Sequence, residues 1–210
     1  MSIEKNSKLI IISSPSGAGK TTLCKLLIKK MKNINLSISY TSRNKRLNEI
    51  NGKDYNFVTK NKFINLKEKN FFIETAKNFN HFYGSPFKNI VLANRNNKHL
   101  LFDIDWKGAR SIRSKFAKSS IIDFFILPPT IKELKNRLIK RGRDNKKDID
   151  LRLSYALKEM KHFKEYKYIL INENVYDTVN KIQKIIQFNL LIEENNLVLK
   201  KKLNKIINII

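Results

Sequence analysis

The short apolar runs of this chain are continuous and do not alternate with polar residues. Four such runs cover residues 9–12, 100–102, 121–127 and 168–171. Runs of this length and kind predict strands that are buried on both faces, as in a parallel sheet covered by helices. We therefore expect a parallel β-sheet at the centre of the molecule.

Helical patterns lie between and after these runs. Thr130 and Glu133 have the spacing of a capping box, which predicts that a helix begins there. Apolar residues recur at helical spacing over 153–163, and Asp177 is placed to cap a further helix. The tail from Leu197 keeps this spacing and predicts a last helix that packs on the core. Strands that alternate with helices indicate an α/β fold, here with three layers.

Two segments interrupt the alternation. Residues 37–97 are rich in Asn and aromatic residues, and turn signals such as Asn51-Gly52 predict an insertion with short strands and short helices. Residues 137–152 carry many Lys and Arg between two helical stretches, a pattern that is also typical of a solvated helical tip. The predicted organisation is a core of 1–36, 98–136 and 153–210, an insertion of 37–97 and an excursion of 137–152.

The charge of the chain suggests a polyanionic partner at first sight. Lys and Arg number 43 against 18 Asp and Glu, a formal net charge of +25. However, 34 of these cations are Lys and 9 are Arg, whereas recognition of phosphate or bases favours the planar fork of Arg. The surplus of Lys, with 29 Ile and 26 Asn, is typical of drift in an A+T-rich genome. We therefore expect no nucleic-acid partner.

Cysteine content and hydropathy narrow the class of protein further. The chain has a hydrophobic content of 41%, which excludes a disordered protein. Cys24 is the one cysteine, so the sequence offers no disulfide framework and no cysteine metal cluster, as expected in a reducing compartment. The N-terminus has no apolar segment of signal length, and no run is long enough to span a membrane. We expect a soluble, cytoplasmic protein without a membrane partner.

A phosphate-binding loop follows the first apolar run. Its sequence is Ser14-Pro15-Ser16-Gly17-Ala18-Gly19-Lys20-Thr21, and a helical run comes after it. This strand–loop–helix context is that of the P-loop, whose small residues let backbone N–H groups point at phosphate oxygens. Lys20 is expected to reach the β and γ phosphates and the Thr21 hydroxyl to bind Mg²⁺. Ser14 replaces the first glycine of the motif, which we expect to require a negative φ.

The P-loop predicts a nucleoside triphosphate but does not name the acceptor. A short P-loop chain with a basic excursion indicates a small phosphotransferase, because transfer to another phosphate brings negative charges together. The excursion at 137–152 is suited to close over the phosphates and exclude water, which otherwise competes as acceptor.

Further motifs resemble those of bacterial guanylate kinases in order and spacing over nearly the whole chain. They are SYTSRNKR at 39–46, NGKDYNFV at 51–58, FIETA at 72–76, YGSP at 83–86, FDIDWKG at 102–108, LPP at 127–129, RGRD at 141–144 and INE at 171–173. The resemblance implies Mg²⁺-dependent transfer of the γ-phosphate of ATP to GMP, and to dGMP, in purine nucleotide metabolism and GMP recycling. It also implies a P-loop core in which 37–97 is a GMP-binding insertion and 137–152 is a helical lid.

The resemblance assigns roles residue by residue. It implies that the loop residues Ser14, Pro15, Ser16, Gly17, Ala18, Gly19, Lys20 and Thr21 bind ATP and that Asn172 lies near the adenine. For the GMP phosphate it implies Arg43, Arg46, Tyr55 and Tyr83, and for the guanine Ser39, Glu74, Ser85 and Asp105. Lys20, Arg141 and Arg152 would be catalytic, the two arginines reaching the transferring phosphoryl group from the lid.

The hydrogen-bond donors of guanine suit a carboxylate as the group that recognises the base. Guanine offers N1–H and an exocyclic NH₂ side by side, so the carboxylate of Glu74 can accept from both. Asp103 and Asp105 alternate at the end of a strand, which predicts that one faces the site and that the other is either structural or supports a site residue from behind. Residues 43–48 lack the Pro and Gly that the family often has there, which predicts a looser loop.

Three other functions compete with this interpretation. A guanylate-kinase-like binding module would keep the fold without catalysis, but Lys20, Thr21, Arg141 and Arg152 are intact. A basic nucleic-acid-binding protein would need exposed aromatic residues among its cations. A kinase that phosphorylates another nucleoside monophosphate would bind a different base, and Glu74 is the residue that distinguishes guanine from the other bases. Monomer and homo-oligomer are both open.

Overall fold

The computed structural model describes residues 7–78, 80–140 and 146–207. The nine strands are β1 Leu9–Ser13, β2 Ile34–Leu36, β3 Tyr40–Thr41, β4 Asn56–Phe57, β5 Phe72–Asn78, β6 His81–Pro86, β7 His99–Asp103, β8 Ile121–Leu127 and β9 Tyr168–Ile171. The seven α-helices are α1 Lys20–Lys30, α2 Lys60–Glu68, α3 Lys88–Arg95, α4 Trp106–Lys115, α5 Ile131–Lys140, α6 Lys146–Met160 and α7 Val175–Ile207. These numbers refer to the described ranges, which also contain short 3₁₀ turns at Lys118–Ser120 and Lys161–Glu165.

A five-stranded parallel sheet forms the centre, in the order β2-β7-β1-β8-β9. The four predicted runs are β1, β7, β8 and β9, so the expectation of a parallel central sheet is confirmed. Strand β1 lies in the middle with every residue buried, because both of its faces are covered by helices.

Successive residues of β1 belong to two different hydrophobic clusters. Ile10 and Ile12 pack with α1 and α7 on one face of the sheet, whereas Leu9 and Ile11 pack with α3 and α4 on the other. This alternation follows from the period of two of a strand. The α/β class and its three layers are therefore confirmed.

A second sheet of four strands stands beside the first, in the order β4-β3-β6-β5. Strands β5 and β6 form its antiparallel hairpin, with Asn78 opposite His81 at the tip. Buried aromatic rings fill the space under it, and Phe63 of α2 stacks on both Phe72 and Phe82. This sheet lies within the predicted insertion, whereas α3, from the same range, packs on β7 of the central sheet.

Helix ends agree with the sequence in one place and differ in another. The predicted cap of α5 is confirmed, since Thr130 Oγ1 accepts from the Glu133 N–H at 3.0 Å. The prediction that Asp177 caps the next helix was wrong. Asn174 Oδ1 accepts from the backbone N–H groups of Tyr176 and Asp177, so α7 begins earlier and Asp177 lies in its first turn.

The predicted tail helix is the last part of α7. The helical spacing from Leu197 is confirmed, because α7 continues without a break to Ile207. The predicted packing of this tail on the core is not confirmed, since Leu199 and Leu203 are more than half exposed. The helix is held to the core further back, where Val179, Ile182 and Ile186 are buried and Glu193 forms an ion pair with Lys8.

The loop after α6 is fixed to α4 by an aromatic contact. Trp106, the first residue of α4, stacks on His162 with the ring centroids 3.6 Å apart. The guanidinium of Arg110 lies over the Trp106 ring and pairs with Glu165 at 2.6 Å. None of the described helices is long and apolar enough to cross a membrane.

Candidate active site

The phosphate-binding loop connects β1 to α1 at the carboxyl end of the central sheet. Gly17 and Gly19 both have φ of +96°, which favours glycine. A Cβ at Gly17 would stand 2.9 Å from Leu134 Cδ1, and one at Gly19 would stand 2.7 Å from Asn172 Nδ2. Ser14 is not among the described non-glycine residues with positive φ, as its substitution for glycine required.

The reactive side chains of this loop already have partners on β7 and on the loop that follows it. Lys20 Nζ donates to Ile104 O at 2.7 Å and pairs with the Asp103 carboxylate at 3.1 Å. Burial alone would lower the pKa of Lys20, but the charges of Asp103 and Asp105 outweigh it and the pKa is raised. Thr21 Oγ1 donates to Asp103 Oδ2 at 2.9 Å.

A cavity of about 320 Å³ opens in front of the loop. Its walls include most of the predicted residues: Ser14, Pro15, Ser16, Gly17, Gly19, Lys20, Thr21, Ser39, Arg43, Arg46, Tyr55, Glu74, Tyr83, Asp105 and Arg152. The P-loop from the core, the second sheet and α6 thus meet at one space, which suits a reaction between two bound molecules.

Three predicted residues stand behind the cavity wall. Ala18 is fully buried within the P-loop, and Ser85 is buried behind Glu74. Asn172 is also buried, and its Nδ2 donates to Ala18 O at 2.8 Å. Within the described part of the chain, Asn172 Oδ1 has no hydrogen-bond partner. Arg141 lies outside the described residues.

Glu74 is the buried acid of the cavity, with 3% of its surface exposed. Its Oε1 accepts from Ser85 Oγ at 2.7 Å, and Ser85 Oγ lies 3.1 Å from Ser39 Oγ. Burial, with a contribution from the charge of Asp105, raises the pKa of Glu74 to about 7. A Cβ at Gly108 would stand 2.7 Å from Glu74 Oε2, so glycine leaves the space that the carboxylate uses.

Asp103, the last residue of β7, and Asp105, two residues later, both line the cavity. Asp103 binds the P-loop residues Lys20 and Thr21. Asp105 caps α4, with Oδ1 accepting from Gly108 N at 2.8 Å, while its Oδ2 still faces the cavity residues of the second sheet. One residue therefore has a structural and a site-facing role at the same time.

Glu49 connects the two arginines that precede it, Arg43 and Arg46, at the cavity edge of the second sheet. The Arg43 guanidinium donates to both Glu49 oxygens, at 2.9 and 2.8 Å, and the Arg46 backbone N–H donates to Glu49 Oε2 at 2.8 Å. Arg43 also lies over the Tyr55 ring. Burial raises the pKa of Tyr55, so its hydroxyl stays a neutral donor. Glu49 thus ties Arg43 to the backbone at Arg46 in the loop that lacks proline and glycine.

A carboxylate from α6 reaches the P-loop. Glu159 Oε2 accepts from the Ser16 backbone N–H at 3.1 Å, and Glu159 lines the cavity. Burial raises the pKa of Glu159, which the hydrogen bond from Ser16 partly offsets. A backbone N–H of a P-loop is a phosphate ligand, so a carboxylate stands where a phosphate oxygen is expected.

Sequence reasoning missed Glu49, Asn78, His81 and Glu159. The last three line the cavity. Glu49 lies three residues after Arg46, a short-range signal that was available in the sequence. Glu159 and Ser16 are 143 residues apart, and Asn78 meets the core through a hairpin, so no local pattern announces either contact.

A P-loop whose lysine shares one cavity with a buried carboxylate and several arginines is typical of a P-loop phosphotransferase that acts on two nucleotides. Comparison with known proteins then gives the family. The family model described as Guanylate kinase matches residues 6–189, and the chain belongs to the guanylate kinase family.

Individual relatives agree with this assignment. The chain is 47% identical over 188 residues to a guanylate kinase of Blochmanniella pennsylvanica, covering 86% of this chain and 87% of the relative. It is 43% identical to one of Caldanaerobacter subterraneus, with 89% of each covered. A solved guanylate kinase from Anaplasma phagocytophilum is similar with a TM-score of 0.74 at 30% identity, covering 90% of this chain and 88% of that one.

Proposed function

We propose that the chain acts as a guanylate kinase through the cavity in front of its P-loop, transferring the γ-phosphoryl group of ATP to GMP and giving ADP and GDP. The observation that carries this proposal is the position of the buried Glu74 in the same cavity as Lys20. Glu74 selects the base of the acceptor, and Lys20 provides the positive charge that stabilises the phosphoryl group during transfer.

On the ATP side, residues 14–21 hold the triphosphate through backbone N–H groups at the start of α1. Lys20 leaves its partners on and after β7 for the β and γ phosphates, since the three donors of an ammonium can be redistributed. Asn172 Oδ1 is a buried acceptor without a partner among the described residues, which supports a role beside the exocyclic amine of adenine.

On the GMP side, the phosphate binds between Arg43, Arg46, Tyr55 and Tyr83. The arginines clamp it, and the tyrosine hydroxyls add donors without further charge. The contacts of Arg43 support this role. Three of its five guanidinium donors are engaged, two with Glu49 and one with Asn44 O, so the direction of the group is set before GMP arrives.

The guanine binds to Glu74, with Ser39, Ser85 and Asp105 around it. The Glu74 carboxylate accepts from N1–H and the exocyclic NH₂ together, whereas adenine would present a lone pair at N1. A site that leaves a buried acceptor unpaired rejects the wrong base by about 10⁴-fold, by analogy with other sites that discriminate by hydrogen bonds.

The transfer itself needs no protein nucleophile. An oxygen of the GMP phosphate attacks the γ-phosphorus, the bond from that phosphorus to the β–γ bridging oxygen breaks, and ADP leaves with the electron pair. Lys20, Arg152 and Arg141 balance the charge that is spread over the transferring group. The segment 137–152 acts as a lid that excludes water, the core is 1–36, 98–136 and 153–210, and 37–97 is the GMP-binding insertion.

Thr21 and Asp103 fit a magnesium ion. Their side-chain oxygens are 2.9 Å apart beside the P-loop, and Mg²⁺ prefers oxygen ligands that include one or two protein groups with phosphate and water. Bound Mg²⁺ supplies positive charge that neutralises the phosphates.

The lone, buried Cys24 suits a reducing compartment, which supports a cytoplasmic location.

An acceptor panel tests the proposal. ATP consumption, measured in a coupled assay with GMP, dGMP, AMP, CMP and UMP, is expected to be high with GMP and dGMP and near background with the others. A folded protein that shows no turnover with GMP would be a binding module, and one that turns over equally well with AMP would have another acceptor. Turnover without any acceptor would also contradict the proposal.

A further inference from the structure

Asn78, the last residue of β5, reaches across from the second sheet to the core. Its side chain lines the cavity, and Nδ2 donates to Asp105 Oδ2 at 2.6 Å. The contact joins residues 27 positions apart, one in the second sheet and the other at the start of α4, just after β7 of the central sheet. It lies at the edge where the base of GMP is proposed to bind.

The Asp105 carboxylate is held by two donors from two elements. Gly108 N binds Oδ1 as part of the helix cap, and Asn78 binds Oδ2. A cap fixes one oxygen but leaves the carboxylate free to turn about its last torsion, which is broad for Asp. The second donor fixes the plane of the group, and with it the direction of the lone pairs that remain.

We propose that Asn78 is a positioning residue for guanine selection, which acts by holding the plane of the Asp105 carboxylate towards the cavity. This rests on the proposed role of Asp105 in reading guanine. Asn78 need not touch the nucleotide, because its effect passes through Asp105.

The chemistry of an amide suits this position. Asn78 donates a hydrogen bond to Asp105 without adding a charge beside the buried Glu74. A carboxylate at position 78 would add a third negative group to Glu74 and Asp105, and it would raise the pKa of Glu74 further. A leucine would keep the size of the side chain and lose the donor.

The test compares the variants Asn78→Leu and Asn78→Asp in steady-state kinetics with GMP and with IMP, whose base lacks the exocyclic amine. For Asn78→Leu we expect KM for GMP to rise about tenfold and the preference for GMP over IMP to fall, which corresponds to the loss of one hydrogen bond to a charged group. We expect kcat and KM for ATP to stay within about twofold, because the interaction concerns binding of the base.

Asn78→Asp should raise KM for GMP further. Asn180→Ala is the matched control, since that amide oxygen binds Lys30 away from the cavity.

Asp105→Ala separates this proposal from the proposed function. If Asp105→Ala leaves KM for GMP and the GMP/IMP preference unchanged, the assignment of Asp105 as a guanine reader is wrong, and the positioning role is overturned with it. If Asp105→Ala impairs GMP while both Asn78 variants behave as the parent, the positioning proposal alone is overturned. In the double variant, Asn78→Leu is expected to add less than about twofold. A full additional loss there would mean that Asn78 contacts GMP directly.

Discussion

At the scale of single residues, the proposed role of Glu74 makes the binding of GMP depend on whether this carboxyl is ionised. Its pKa is raised to about 7, chiefly by burial and also by Asp105, while Ser85 and the charge of Lys115 act in the opposite direction. Below pH 7 the carboxyl is increasingly protonated and loses its ability to accept from both guanine donors. We therefore expect KM for GMP to rise as pH falls from 8 to 6, by up to about tenfold for each unit below the pKa.

The variant Glu74→Gln provides the control for this pH profile. GMP itself gains a proton on its phosphate near pH 6, and this contribution is the same for both proteins. Glu74→Gln should have a high KM for GMP at every pH and should retain only that shared dependence. Identical profiles for the parent protein and Glu74→Gln would show that Glu74 does not titrate in the binding step.

At the scale of elements, α6 connects the excursion 137–152 to the P-loop through Glu159. Its carboxylate accepts from Ser16 N–H, the donor for which a phosphate oxygen of ATP would compete in the proposed function. We expect Glu159→Gln to bind ADP and ATP about three- to tenfold more tightly, because a neutral acceptor forms a weaker hydrogen bond than a carboxylate. Isothermal titration calorimetry measures the change.

The variant Glu194→Gln is the matched control, since that side chain is exposed on α7. It should bind both nucleotides as the parent does. Weaker binding of ADP by Glu159→Gln would mean that Glu159 supports the bound state, and the competition described here would be wrong.

Elements with local signals could be predicted from the sequence, and contacts between distant elements could not. The apolar runs identified β1, β7, β8 and β9 because burial on both faces leaves a continuous pattern in the sequence. The cap of α7 was misplaced because Asn174 and Asp177 are both good caps and lie within one turn. Asn78 and Glu159 depend on how the two sheets and α6 meet, which is a property of tertiary packing. Contacts of this kind leave no pattern in the sequence and are seen only in the folded molecule.

At the scale of the whole molecule, the parts that carry the site end well before the end of the chain. The family match ends at residue 189, while α7 continues to Ile207 with Leu199 and Leu203 exposed. Glu193, which pairs with Lys8, still belongs to the packed part of the helix. A chain that ends at Asn195 should keep kcat and both KM values within about twofold and lose no more than about 3 °C in Tm, which is about 1 kcal/mol at this size.

A large effect of this truncation on activity or on Tm would contradict the prediction. If activity falls or Tm drops by more than about 8 °C, a loss of more than about 2 kcal/mol, the exposed apolar side chains of α7 would be covered in the working enzyme. Shortening the chain further, to end before Glu193, should cost stability, because the ion pair with Lys8 is then lost.

The stacking of Trp106 on His162 has a practical consequence. Trp106 is the one tryptophan of the chain, and it follows Asp105 directly at the start of α4, while His162 lies just after α6. The tryptophan fluorescence of the protein therefore reports on the contact between the start of α4 and the residues that follow α6, the helix that carries Arg152 and Glu159. If the proposed lid closes over ATP and α6 moves with it, we expect the emission of Trp106 to change, and stopped-flow experiments on the unlabelled protein can follow that change.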